Sequence, residues 1–173
     1  EGLSRASLQG DVAFVDLLEQ MGCDVRHEAD AITVRGPARA GGKLRGITCD
    51  MNAISDTVQT LAAVALFAEG PTTMIGVPHI RHKETDRLAA LATELRKFGA
   101  EVEERPDGLR ITPPGSPAAL HGAAIDTYRD HRMAMSMALV GLRVPGVTIR
   151  DPGCVANTYP EFFDDLMELV AGS

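Results

Sequence analysis

The sequence predicts an α/β protein assembled by repetition of one strand-helix-strand-helix-strand-strand unit. Three observations lead there. A chain of 173 residues that is 45% hydrophobic carries enough apolar surface to bury a core. A helix-Gly-strand-turn-strand pattern recurs at a spacing of 77 residues: Leu18, Met21, Gly22, Cys23, Asp24, Val25, Ile32 and Val34 match Leu95, Phe98, Gly99, Ala100, Glu101, Val102, Leu109 and Ile111. A strand-helix-strand pattern recurs at a spacing of 76, with Gly46, Asp50, Ala62, Val64, Leu66 and Thr72 matching Gly122, Asp126, Ala138, Val140, Leu142 and Thr148.

In chain order, residues 1–45 hold the end of a first unit, its second helix over 11–21 followed by two closing strands. Gly22 suits the left-handed position that ends a helix, and Asp30 suits the turn between the strands. Residues 46–113 form a complete unit. A strand over 46–50 leads into an apolar helix over 55–68, with Ser55 as its cap and Asp56 in its first turn. The Gly70-Pro71 break precedes a strand over 72–77, and Leu88, Leu91, Leu95 and Phe98 mark the apolar stripe of the next helix. Gly99 closes that helix, and Pro106-Asp107-Gly108 turns the chain between alternating strands. Residues 114–173 give a third unit with a strand over 123–127, helix over 131–142, strand over 147–150 and helix over 159–170, but without closing strands. No low-complexity linker separates the units, so one continuous domain is expected, cut from a larger molecule.

Charge and composition narrow the function. Seventeen Lys+Arg against 24 Asp+Glu give a net charge of −7, which argues against nucleic acid or an anionic membrane as partner of the whole surface. No apolar run approaches the roughly 20 residues of a membrane-spanning helix. Two Tyr, five Phe and no Trp leave little with which to stack bases. Cys23, Cys49 and Cys154 form no CxxC pair, so neither a disulfide framework nor a structural zinc site is suggested, and a reducing compartment fits best. P-loop and Rossmann glycine motifs are absent. Of the histidines, only His79 and His82 are close in sequence, without an HExxH pattern, so no metal is expected. Met133, Met135 and Met137 read as core filler.

The chemistry is expected where cations gather at helix starts. Arg81-His82-Lys83-Glu84-Thr85-Asp86-Arg87 precedes one helix, and Tyr128-Arg129-Asp130-His131-Arg132-Met133 opens another. A cation at a helix N-terminus is disfavoured by about 0.3–1 kcal/mol, so two such placements predict a ligand with several negative groups. Lys83 and Glu84, four and three residues before Arg87, are expected on one helical face with it. The guanidinium groups of Arg87 and Arg132 offer forks for carboxylate or phosphate, whereas Lys83 is a point charge. Plainer readings stand beside these. Glu84 and Arg87 could be a solvated helical ion pair, and Asp56 could serve only to complement the helix dipole. As a functional group Asp56 would accept a proton or orient a hydroxyl.

These strings, together with Leu8-Gln9-Gly10-Asp11, Thr93-Glu94-Leu95-Arg96-Lys97-Phe98-Gly99-Ala100-Glu101 and Asp151-Pro152-Gly153-Cys154, resemble the 5-enolpyruvylshikimate-3-phosphate synthase family. The resemblance covers nearly the whole chain but only the C-terminal part of that enzyme. It implies an inside-out α/β barrel, the enolpyruvyl transferase fold, of which this chain is roughly one of two domains, incomplete. The implied reaction transfers the enolpyruvyl group of phosphoenolpyruvate to the 5-hydroxyl of shikimate 3-phosphate by addition and elimination, in the cytoplasm and with no metal or organic cofactor. Its implied partners are those two small molecules and the enzyme's N-terminal domain, without which the chain is expected to turn over little or nothing.

By matching motif positions, Asp56 resembles the residue that contacts the shikimate hydroxyls and takes a proton, and Glu84 the acid that protonates the methylene carbon of phosphoenolpyruvate. His79 and Lys83 align with ligands of shikimate 3-phosphate, Arg87 and Arg132 with the clamp on phosphoenolpyruvate, and Asp130 and His131 with the cleft lining. Two positions depart from the family pattern. Asn157, in Asn157-Thr158-Tyr159-Pro160, stands where a Lys usually faces phosphoenolpyruvate, and His79 stands where an Asn is usual. Weaker phosphoenolpyruvate binding is the expected result. The alternatives are a non-catalytic module that assembles with a separate N-terminal half and, more distantly, the sister transferase acting on UDP-N-acetylglucosamine, from which the Lys83-Glu84 and Asp130-His131-Arg132 strings differ.

Overall fold

The protein is described here from a computed structural model covering residues 1–172. Helix α1 (Phe14–Gln20) follows a 3-10 turn at Gly10–Ala13, and Gly22 closes it at φ 106°. Strands β1 (Asp24–His27) and β2 (Ile32–Arg35) pair as an antiparallel hairpin. Next come β3 (Leu44–Arg45), β4 (Thr48–Asp50), α2 (Val58–Ala65), β5 (Ala68–Glu69), β6 (Thr72–Ile75), α3 (Arg87–Arg96), β7 (Glu101–Arg105) and β8 (Gly108–Thr112). The chain then runs through β9 (Ala124–Ile125), α4 (His131–Gly141), β10 (Thr148–Ile149) and α5 (Phe162–Ala171).

The largest sheet has the order β4-β6-β8-β7, with β4 parallel to β6 and the other neighbours antiparallel. Helices α2 and α3 pack on it through Leu61, Leu88, Leu91 and Leu95, which meet Met74, Leu109 and Ile111 in one apolar core. Burying each such side chain stabilises the fold by about 1.5–3 kcal/mol. Met133 and Met137 lie in the same core, as expected, whereas Met135, expected with them, is half-buried and outside it.

The repeat is visible in atomic detail. Gly46 and Gly122 occupy equivalent positions, and a Cβ at either would stand 2.3 Å from a carbonyl oxygen, of Pro71 and Pro145 respectively. Gly70 and Gly146, again equivalent, turn the chain at φ 80° and 81°. Helices α2 and α4 pack against each other through positions related by the repeat: Thr60 hydrogen-bonds Ser136 at 3.2 Å across a separation of 76 residues. Gly99, the partner of Gly22, closes α3 at φ 96°.

Several element ends differ from the sequence expectation. The helix expected over 55–68 is a 3-10 segment, Asn52–Thr57, kinked at Ile54, followed by α2. Ser55 makes no cap; instead the Thr57 hydroxyl donates to the Ile54 carbonyl at 2.8 Å, one of the local bonds by which Ser, Thr and Asp compete with helical pairing. At its other end Ala68–Glu69 is drawn into parallel pairing with β3. The strand expected over 46–50 is confined to β4, paired with β6, and a separate short strand, β3, precedes it and pairs with β5. The last helix starts at Phe162, beyond Pro160, because proline disfavours helical geometry in the residue before it.

Candidate active site

Three segments converge on one charged cluster. The 3-10 segment before α2 brings Asp56, the chain leading into α3 brings Lys83, Glu84 and Arg87, and the start of α4 brings Asp130, His131 and Arg132. Arg87 is the hub, with its side chain only 1% exposed. Its Nε donates to Asp130 Oδ2 at 2.7 Å and its Nη2 to Glu84 Oε2 at 2.8 Å. Its Nη1 reaches Asp56 Oδ1 at 3.3 Å. Arg132 approaches the same Asp56 from the other side, Nη2 donating to Oδ2 at 2.9 Å and Nη1 to the Asp56 carbonyl at 3.0 Å. Lys83 Nζ lies 4.0 Å from Asp56 Oδ1, and His131 Nδ1 lies 3.8 Å from Glu84 Oε1.

The residues do not meet as helix periodicity suggests. Helix α3 begins at Arg87, capped by the Asp86 carboxylate on the Ala89 amide, so Lys83 and Glu84 sit in the turn before it rather than on its face. Helix α4 is likewise capped by Asp130, which accepts from the amides of Arg132 and Met133. Both helix starts therefore carry an acid, and the helix dipole is satisfied from within the chain. Arg81, expected to add to the cationic patch, turns away: it binds the carboxylates of Asp86 and Glu104 and the carbonyl of Arg105. His79 and Asn157 are exposed, the first on the 3-10 turn Pro78–His82 and the second in the turn after Pro152–Val155, and neither side chain bonds to the cluster.

Asp130 has a part that sequence reasoning gave it only loosely. It is fully buried, caps α4 and holds Arg87 through Nε and, at 3.4 Å, Nη2. Its place directly before the run His131–Gly141 is the sequence signal for that cap. The two residues before it, Tyr128 and Arg129, have φ of 55° and 58°. Left-handed geometry costs an L-residue about 1–2 kcal/mol, so two in succession persist only where the surroundings fix them. The Tyr128 hydroxyl, donating to Glu94 Oε1 at 2.7 Å, is held protonated, its pKa pushed up to about 12 by burial and by the neighbouring Glu94 carboxylate. Sequence reasoning met Glu94 only inside a family-like string and gave it no part.

Counting formal charges, Lys83, Arg87 and Arg132 are balanced by Asp56, Glu84 and Asp130. The balance is uneven in depth. Asp130 is out of solvent, whereas the side chains of Asp56 and Glu84 are 36% and 40% exposed. An incoming carboxylate or phosphate can therefore take the Nη atoms of Arg87 and Arg132 from the two outer acids while Asp130 keeps Arg87 in place.

Repeated units of strands and helices arranged in this way are found in solved enolpyruvyl transferases. EPSP synthase from Acinetobacter baumannii superimposes with a TM-score of 0.78 at 28% identity, covering 96% of this chain and 40% of that one. The enolpyruvyl transferase NikO from Streptomyces tendae gives 0.70 at 26% identity, covering 91% and 35%. The sequence profile of EPSP synthase (3-phosphoshikimate 1-carboxyvinyltransferase) matches residues 1–166. The chain belongs to the EPSP synthase family. Proteins named 3-phosphoshikimate 1-carboxyvinyltransferase are 50% identical over 168 residues in Nostoc punctiforme and 52% over 169 residues in Thiobacillus denitrificans. The chain covers 38% and 39% of those two relatives' lengths, so it matches a part of each.

Proposed function

We propose that this chain supplies one wall of an active site that moves the enolpyruvyl group of phosphoenolpyruvate onto the 5-hydroxyl of shikimate 3-phosphate. The observation that carries the reading is the joining of Asp56, Glu84, Arg87 and Arg132 through three side-chain contacts of 3.3 Å or less. Arg87 and Arg132 would take the phosphate and carboxylate of phosphoenolpyruvate as planar forks, and Lys83 would face the phosphate of the shikimate. Once a substrate anion occupies Arg87, the Glu84 carboxyl is released from its ion pair and carries a proton to the methylene carbon, leaving the adjoining carbon open to attack. Asp56 takes the proton of the attacking hydroxyl. When phosphate leaves the tetrahedral intermediate, Glu84 takes a proton back from the methyl carbon as the double bond re-forms, and Asp56 gives its proton to the departing phosphate. Asp130 and His131 line and brace the cleft, and His79 and Asn157 come into contact when both substrates are bound and the cleft is closed by a second domain.

The domain that closes the cleft is proposed to lie in a further N-terminal portion, and the isolated chain to be at best weakly active. Phosphate release is measured with both substrates, using the 173-residue chain alone and mixed with a separately produced N-terminal half. Turnover that requires the mixture and falls on Glu84→Gln or Asp56→Asn supports the reading. Full turnover by the chain alone, or a mixture indifferent to both substitutions, overturns it.

A further inference from the structure

Behind the charged cluster, on the far half of α3, lies a second polar network that the proposed reaction does not use. At its centre is Glu94, a carboxylate with no exposed surface. Its Oε1 accepts the Tyr128 hydroxyl at 2.7 Å, and its Oε2 accepts the Asp126 amide at 3.0 Å and lies 2.7 Å from Lys97 Nζ. Lys97 extends the grip by donating to Asp126 Oδ2 at 3.0 Å and to the Ala124 carbonyl at 3.3 Å. Arg150 holds the other Asp126 oxygen at 3.1 Å. Residues 124–128 are thus fastened at successive points just before the chain enters its left-handed pair, Tyr128 and Arg129. On the far side of that pair stands Asp130, with its amide bonded to the Thr127 carbonyl at 2.9 Å and its carboxylate on Arg87.

Two left-handed L-residues in a row relax unless held at both ends. Asp130 is the downstream hold. We infer that Glu94 is the upstream one: a positioning residue that, through the Tyr128 hydroxyl and the Asp126 amide, sets the backbone that presents Asp130, His131 and Arg132. Helix α3 therefore contributes to the cluster twice, by Arg87 at its first turn and by Glu94 two turns on, and Asp130 is placed relative to Arg87 by the same helix that carries Arg87. What the positioned groups bind rests on the proposed function, but the positioning itself does not.

The test uses the whole 173-residue chain labelled with nitrogen-15. Tyr128→Phe removes one oxygen and is the leading variant; Glu94→Gln keeps one acceptor oxygen and removes the charge. Hydrogen exchange is read at the Arg87 Nε–H and at the amides of Asp130, Arg132 and Met133, with Leu109 and Ile111 of the sheet as reference. Loss of one such bond is expected to speed exchange at the first group by about fivefold and to leave the reference unchanged. Phosphoenolpyruvate affinity, followed by chemical-shift titration, is expected to fall in parallel. Unchanged exchange around Asp130 in Tyr128→Phe, or equal acceleration everywhere, overturns the inference. If the unsubstituted chain binds no phosphoenolpyruvate, the proposal for this chain's substrate contacts fails, while the exchange measurements still decide the role of Glu94.

Discussion

Replacing Asp130 by asparagine separates the two tasks its carboxylate performs. Asparagine caps a helix about as well as aspartate, so the amides of Arg132 and Met133 keep an acceptor. What is lost is the negative charge 2.7 Å from Arg87 Nε, inside a pocket where the guanidinium is 1% exposed. Removing one partner of a buried ion pair costs about 3–5 kcal/mol. Arg87 retains Glu84 at 2.8 Å, which puts the expected loss at the lower end, about 3 kcal/mol. For a chain of this length that is a fall in Tm of about 6–12 °C. Asp130→Ala removes the cap as well and is expected to cost about 1 kcal/mol more. Urea and thermal unfolding followed by circular dichroism measure both. An Asp130→Asn chain within about 1 kcal/mol of the parent would show that the pair is not the buried hub described above.

Gly122→Ala places a methyl 2.3 Å from the Pro145 carbonyl and is expected to destabilise by about 1–3 kcal/mol in urea titration, as is Gly46→Ala against Pro71. Of the three thiols, Cys49 is buried, and burial with the adjacent Asp50 charge raises its pKa to about 11. Under native conditions a disulfide reagent at neutral pH is expected to modify Cys23 and Cys154 first and Cys49 only on unfolding. In alkaline absorbance titration Tyr128 is expected to ionise near pH 12. Because its folded pKa is raised above the ordinary value of 10, its contribution to stability is fully present below pH 10 and lost as pH rises through 12, a loss that Tyr128→Phe abolishes. With shikimate 3-phosphate and the separately produced N-terminal half present, Asn157→Lys is expected to tighten phosphoenolpyruvate binding in calorimetry by about two- to fivefold, the scale of one exposed charge contact; an unchanged affinity there would place Asn157 outside the site.

The repeat was the most legible feature of the sequence, because matching glycines and apolar positions at 76 and 77 residues report turns and core faces directly. Gly22, Gly99, Gly70 and Gly146 all take the left-handed geometry that position and residue type imply. Element ends were less legible. The unwinding at Asn52–Thr57 depends on a local Thr57 bond and the shortening at Ala68 on pairing with β3, and neither leaves a periodic trace. For the cluster, the sequence pointed to Asp56, Glu84, Arg87 and Arg132, but it read the cations as unbalanced charge awaiting a ligand. The structure supplies the balancing acids, Asp56 and Glu84 on the outside and Asp130 from the start of α4, the last through a contact that spans 43 residues. The part of Glu94 was invisible because a glutamate on an amphipathic helix ordinarily faces water, and its burial follows from where Tyr128 and Asp126 arrive.

Asp56 and Arg132 hold one another across the same 76-residue interval that relates α2 to α4. The two members of the contact are thus counterparts in a duplicated motif, yet they bear opposite signs, while Thr60 and Ser136 remain interchangeable. A chain rebuilt from two identical copies of either unit would preserve the hydroxyl contact and set two aspartates or two arginines face to face. The duplication can supply the scaffold, but divergence at this pair of positions replaces a repulsion between the copies with an ion pair at the cleft.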